Sequence, residues 1–149
     1  MSSGNRGIRN NNPGNIDYNS RNDWQGQLGL EQGTLKPRFA RFDSPENGIR
    51  ALAKLLINYR GRDGMPNVGG KGIDTVRETV NRWAPGTEND TESYIKSVAR
   101  AVGVEPNAPI DIKDPAVLMA MTKAIITHEN GSNPYSTAIV AEGVRRALA

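Results

Sequence analysis

The chain has 149 residues, 36% of them hydrophobic, 23% charged and 5% aromatic, an ordinary composition for one domain with a core of several helices. It has no cysteine, which excludes disulfides, thiolate nucleophiles and cysteine-held zinc, and its one histidine excludes a histidine-rich metal site. A net charge of +3 and a pI near 9.4 favour anionic partners such as nucleic acid, membrane surfaces or bacterial wall polymers, although so small a surplus also serves plain solubility.

The opening stretch MSSGNRGIRNNNPGN has no apolar run, so no signal peptide is expected, and nothing downstream is long enough to span a membrane. The protein is read as made in the cytoplasm, needing another route out for any action on the periplasmic or extracellular wall. Residues 1–6 read as a disordered arm. NNNPGN predicts a tightly turned loop, because Asn and Gly tolerate left-handed backbone. DWQGQLGLEQGTLKPRFARF alternates weakly and predicts a small irregular hairpin.

The rest of the chain reads as helical. In DSPENGIRALAKLLINYR, Ser44 is the N-cap and Pro45 the first helical residue, with Ile49, Leu52, Ala53, Leu56 and Tyr59 on one face. RDGMPNVGGKG predicts a flexible loop. DTVRETVNRWA places Val76, Val80 and Trp83 on one stripe and stops at Pro85. NDTESYIKSVARAVG starts at a Thr91 cap, buries Ile95, Val98, Ala99 and Val102, and ends at Gly103. KDPAVLMAMTKAIITHEN, with Asp114 capping and Pro115 first, is the most apolar helix and ends at Asn130-Gly131. A last helix from about Tyr135 to Leu148 packs Ile139, Val140, Val144 and Leu148. No repeat or linker divides the chain, so the expectation is one mainly α domain over 1–149, with a small β lobe near the N-terminus.

Chemistry concentrates at the end of the apolar helix. Glu129 follows its last apolar turn and should emerge at the edge of the core. Desolvation and the negative end of a helix dipole both favour a protonated carboxyl group, which is what a general acid for a glycosidic oxygen requires. A solvated helix-end glutamate is the plainer alternative.

The wording AIITHENGSNPYS resembles the catalytic motif of lysozyme-like lytic transglycosylases, an apolar helix ending in Glu-Ser-Gly and continuing through Asn-Pro. Glu129-Asn130-Gly131 and Asn133-Pro134 take those places, with Asn130 departing from the usual Ser. In that family a Gly-rich β lobe follows the motif, whereas here one helix remains. The stretch from Asn10 to Leu56 is instead similar to the segment after the catalytic helix in flagellar-rod-type and autolysin glucosaminidases, with Asn11, Asn12, Trp24, Gly26, Glu31, Phe39, Phe42 and Ser44 in matching order. ENDTESYIKSV resembles the Glu-Thr-x-x-Tyr-Val stretch of the transglycosylases through Thr91 and Tyr94, with Glu88 or Asp90 in the acidic place. GIRNNNPGNI together with WAPGTEND is typical of phage structural proteins and endolysins. The resemblance implies a circularly permuted lysozyme-like (α+β) domain, its catalytic helix moved to the C-terminal end, which close termini on a compact domain permit.

The expected activity is a peptidoglycan glycosidase, with no cofactor or metal. Glu31 on the hairpin is the candidate second catalytic group, as nucleophile, base or electrostatic stabiliser, ahead of Asp17 and Asp23; an exposed hairpin charge is its plain alternative. If none faces Glu129, transglycosylation is favoured, since the sugar's own 6-hydroxyl then attacks. Asn11, Asn12, Asn15, Tyr18, Trp24, Tyr94 and Asn133 are candidate glycan contacts through their amides and aromatic faces. Trp83 reads as core, and His128 as a packed neighbour and not a base. The expected partner is bacterial peptidoglycan, met by a monomer in the virion or during lysis, with other virion proteins as further candidates. A wall-binding module without catalysis is the alternative. A phage structural or nucleic-acid-binding protein is third, disfavoured because no basic run with interleaved aromatics is present.

Overall fold

The computed structural model describes residues 5–84 and 90–149; Pro85 and Glu88 lie outside the described residues, as do residues 1–4 of the expected arm. Helix α1, Arg6–Arg9, is capped by Asn5, whose side chain accepts from the Gly7 amide. Asn5 and Arg6 are therefore structured, which corrects the expectation of a disordered arm over them. The chain then turns through Asn11 and Asn15, both at positive φ (52° and 50°), as the Asn-rich wording predicts.

Strands β1, Gln27–Leu30, and β2, Ala40–Phe42, form a two-stranded antiparallel sheet pairing Gln27 with Phe42, Gly29 with Arg41 and Leu30 with Ala40. The register is irregular between Gln27 and Gly29, where positive-φ Gly29 makes a bulge. Beside β2, Asp17 bridges Phe39, and the Ala40 amide donates to the Ile16 carbonyl.

Helix α2, Pro45–Asn58, begins at the Ser44 cap and runs into a 3-10 turn, Tyr59–Gly61. Helix α3, Val76–Trp83, starts at Thr75. Helix α4, Thr91–Val102, is capped by Asp90, whose side chain accepts from the Ser93 amide. The expected cap, Thr91, is the first helical residue, and its hydroxyl instead donates to the Ala84 carbonyl at 3.0 Å. Helix α5, Pro115–Asn130, starts at Asp114 and ends at Gly131 with φ 77°. Helix α6, Thr137–Leu148, starts at Ser136, two residues later than the sequence suggests. The molecule is thus mainly α, about half helical, with one small sheet among the described residues.

α2 packs along α6, and α5 lies against both α4 and α6. One apolar core runs from Ile16, Ala40 and Phe42 through Leu52 and Leu56 to Leu118, Ile125, Ile126 and Val140. Each such Leu or Ile contributes on the order of 1.5–3 kcal/mol by leaving water. The β lobe and the helices therefore share their burial. The loop 62–72, expected to be flexible, is tied to buried Glu78, which accepts from the Met65 amide within it and from the Asp74 amide and Thr75 hydroxyl just after it.

Glu31 is the lobe's central strut. It is 3% exposed and accepts from the Arg6 guanidinium, from Asn10 Nδ2 at 3.0 Å, and from the Arg38 and Phe39 amides at 2.8 and 3.1 Å. Every carboxylate lone pair is directed at a structural donor. The Arg6 guanidinium first, then Asn10 and the two amides, hold its pKa at about 2 against an ordinary 4.5. Because the folded value is depressed, this stabilisation is complete above about pH 4.5 and fades as pH falls towards 2. Glu31→Gln removes the charge and turns a donor towards Arg6 and the amides. Urea denaturation at pH 7 should show a loss of roughly 2 kcal/mol or more, and the variant's stability should vary less than wild type's below pH 4.5.

Candidate active site

On α5, Leu118, Thr122 and Ile125 are buried, and Glu129 continues their i, i+4, i+7 series by one more turn. Its carboxyl group therefore leaves the helix on the core side and not towards open solvent. Glu129 is half-buried. Its Oε2 accepts from the Tyr94 hydroxyl at 3.2 Å and from the Trp83 indole N–H at 3.4 Å. Three helices thus converge on one oxygen, α5 carrying the acid, α4 the tyrosine and α3 the tryptophan.

Tyr94 is 0% exposed, and its ring stacks on His128 with centroids 3.6 Å apart and planes at 20°. Burial first, and then the charge of Glu129, push its hydroxyl well above the usual tyrosine range, so it remains a donor. Tyr94 cannot touch a glycan from there. It positions Glu129, and His128 packs on its ring.

In front of Glu129 lies an open cleft of about 410 Å³. The helical half contributes Leu55, Tyr59, Trp83, Ala84 and Glu129; the N-terminal half contributes residues 14–17 with Arg38 and Phe39. The two halves meet closely at Gly14, where a Cβ would lie 3.1 Å from the Trp83 ring and 3.4 Å from Leu52; a side chain there would push the turn off the indole. The N-terminal turn and Glu129 border one cleft, though they stand near opposite ends of the chain.

Other candidate residues are placed differently. Glu31 is a buried strut outside the cleft lining, which removes it as the second catalytic carboxylate. Asn12 is fully buried, donating to the Ile16 and Ala40 carbonyls and accepting from the Ile16 amide, so it builds the turn and is unavailable to sugar. Asn11 donates to the Phe42 carbonyl, tying the turn to β2, and Asn133 accepts from the Tyr135 amide within its own turn. Tyr18 and Trp24 are partly buried against the core and absent from the cleft lining. Asn15 does line the cleft.

Trp83, expected in the core, lines the cleft. It shares a stripe with Val76 and Val80, but it is the last residue of α3, so its ring reaches past the core into the cleft. Asp17, ranked below Glu31, is the other carboxylate on the cleft and pairs with Arg38 at 2.6 Å. Among the described residues, no group of three His, Asp or Glu side chains is arranged to hold a metal ion. No described helix is long and apolar enough to cross a membrane.

The end of α5 is tied to the N-terminal segment through Asn130. Its Nδ2 donates to the Pro13 carbonyl at 2.7 Å and the Ile126 carbonyl at 2.8 Å, and its own carbonyl accepts from Asn5 Nδ2 at 2.9 Å. Asn130→Ala should cost about 1–2 kcal/mol in urea denaturation, the usual range for a lost part-buried hydrogen bond. Asn130→Asp should cost more, because it directs an acceptor at two carbonyl oxygens.

No protein-family model matches the chain. It is 40% identical over 141 residues to Protein P5 of Pseudoalteromonas phage PM2, an alignment that covers 93% of this chain and 79% of that protein. At that identity and coverage, the chain belongs to the family of this phage protein.

Proposed function

We propose that the protein is a peptidoglycan glycosidase that cleaves the glycan strand between N-acetylmuramic acid and N-acetylglucosamine, with Glu129 as general acid. The observation that carries this reading is the half-buried Glu129 carboxyl group, held by Tyr94 and Trp83 and opening on a cleft walled by the turn at residues 14–17. A lysozyme-like arrangement reached by circular permutation accounts for a β lobe at one end of the chain and an acid-bearing helix near the other. Asn130, where the resemblance expects Ser, suits a permuted chain because its amide joins the two ends. A phage relative fits a role in the virion or in host lysis.

In this mechanism Glu129 donates its proton to the glycosidic oxygen as the bond to the anomeric carbon breaks. The resulting carboxylate then takes a proton from the attacking hydroxyl, which belongs either to water or to the sugar's own C6. Asp17 can oppose the positive charge that develops on the anomeric carbon. If Asp17 plays no part, the intramolecular route is favoured. Trp83, Tyr59 and Phe39 offer aromatic surface for the apolar faces of sugar rings.

Glu129→Gln should reduce release of soluble muropeptides from purified sacculi by at least ~100-fold, with an unchanged circular dichroism spectrum. A variant as fast as wild type would remove Glu129 as the acid. Mass spectrometry of the wild-type digest identifies the reaction: anhydromuramyl ends mean transglycosylation, reducing muramic acid means hydrolysis, and reducing glucosamine means a glucosaminidase. Wild-type protein that binds sacculi and releases nothing would leave the wall-binding module.

A further inference from the structure

The exposed large apolar side chains among the described residues are Leu28, Leu30 and Leu35, at 51%, 39% and 100% exposure. All three belong to one hairpin: Leu28 and Leu30 lie on β1, and Leu35 is in the loop that joins β1 to β2. A single exposed leucine is ordinary on a protein surface, but a group confined to one element marks a contact surface. The hairpin stands clear of the rest of the molecule, since a Cβ added at Gly29 or Gly33 would meet nothing within 4 Å.

The loop is nevertheless firmly held. Its base is closed by Glu31, whose carboxylate accepts from the Arg38 and Phe39 amides while its own amide donates to the Phe39 carbonyl. Arg6 reaches into the loop and donates to the Lys36 carbonyl at 3.2 Å. Leu35 is therefore presented to solvent from a fixed backbone, and little ordering remains to be done on contact. Charge gathers in the same lobe. Residues 1–42 hold six basic side chains, Arg6, Arg9, Arg21, Lys36, Arg38 and Arg41, against the three acids Asp17, Asp23 and Glu31, whereas residues 43–149 hold thirteen of each. The whole +3 thus resides in the lobe that carries the leucines. Lys36 follows Leu35 directly and is exposed, and Arg41 pairs with Gly29, between the two leucines of β1.

We infer that this hairpin is a contact for the surface of an anionic lipid bilayer, into which Leu35 dips while Lys36 and the other basic side chains of the lobe meet the headgroups. A projecting leucine needs no matching pocket in a fluid apolar phase, and cations beside it are drawn to the negative potential of an anionic leaflet. A second copy of the chain fits less well, because apposed hairpins would bring two net-positive lobes together. Nucleic acid would engage the charge and leave the leucines in water. The contact is peripheral, made by a loop and an edge of the lobe, and it holds whatever reaction Glu129 serves.

The test is co-sedimentation of the full chain with vesicles of phosphatidylcholine containing about 30% phosphatidylglycerol, against vesicles of phosphatidylcholine alone. Wild type should sediment with the anionic vesicles and stay in solution with the neutral ones. Leu35→Ser should weaken anionic binding by about tenfold, the scale of one leucine returned to water, with an unchanged melting temperature because Leu35 is fully exposed. Lys36→Glu should weaken it by a similar factor at low salt, and about 0.5 M salt should erase that difference. Arg100→Glu, on α4 and outside the lobe, should behave as wild type. The chain has no cysteine, so Gln32→Cys places one environment-sensitive fluorophore in the loop, and its emission should shift to the blue with anionic vesicles only. No sedimentation of wild type, equal binding to neutral vesicles, or a Leu35→Ser variant that binds like wild type would each overturn the inference. So would binding to a DNA duplex as tight as to anionic vesicles and unchanged by Leu35→Ser. A lipid-free dimer that Leu35→Ser dissociates in analytical ultracentrifugation would overturn it in favour of a second copy.

Discussion

The side chain of Asn130 holds together two parts of the chain that the sequence keeps far apart. Its amide grips the Pro13 carbonyl while its backbone carbonyl is gripped by Asn5. The closing of the cleft follows from that join. The C-terminal end of α5 is brought against the turn that follows α1, so the residue just before Asn130 is carried to the edge of that turn. Gly14 can then lie on the Trp83 ring, and residues 14–17 become the wall opposite Glu129. Without this join, Tyr94 and Trp83 would still hold Glu129, but the turn at residues 14–17 would lose its tie to the end of α5.

Buried carboxylates are used in two ways. Glu31 and Glu78 are surrounded by donors from backbone and side chains, and each organises a segment that has few apolar contacts of its own. A buried charge is tolerated when it is so fully bonded, and its cost is then repaid in local order. Such a group has no capacity left for a ligand. At Glu129 the hydrogen bonds from Tyr94 and Trp83 converge on Oε2, and the carboxyl borders open space. The donors are rigid, one buried and stacked on His128, the other at a helix end. They hold the group in place without enclosing it.

Much of the helical scaffold was legible from local chemistry. Ser44, Asp114, Gly103 and Gly131 stand at helix ends as their capping chemistry requires. The apolar density of α5 placed it at the centre, and the position of Glu129 one turn past Ile125 put it at the core's edge. The N-terminal lobe was harder to read. Asn12 and Glu31 are polar residues in a loop-rich segment, and polarity there suggests exposure. Both are buried, because a small lobe with little apolar surface closes on hydrogen bonds instead. Tyr94 has the same lesson in reverse, since a candidate sugar contact proved to be a buried support.

The sequence by itself determined helices α2 to α6 and most of their ends, though not the short α1 or the Asp90 cap, together with the turn at Asn11–Asn15 and a carboxyl group at the end of the most apolar helix, because caps, turns and amphipathic spacing are interactions between near neighbours. It also determined the charge surplus of the first 42 residues. Only the tertiary structure decided which carboxylates are struts and which one faces the cleft. It also decided that Trp83 reaches that cleft and that Arg38 stands on its wall. Those outcomes depend on contacts between residues separated by tens of positions or more. Such contacts are set by how the elements pack, and no local pattern records them.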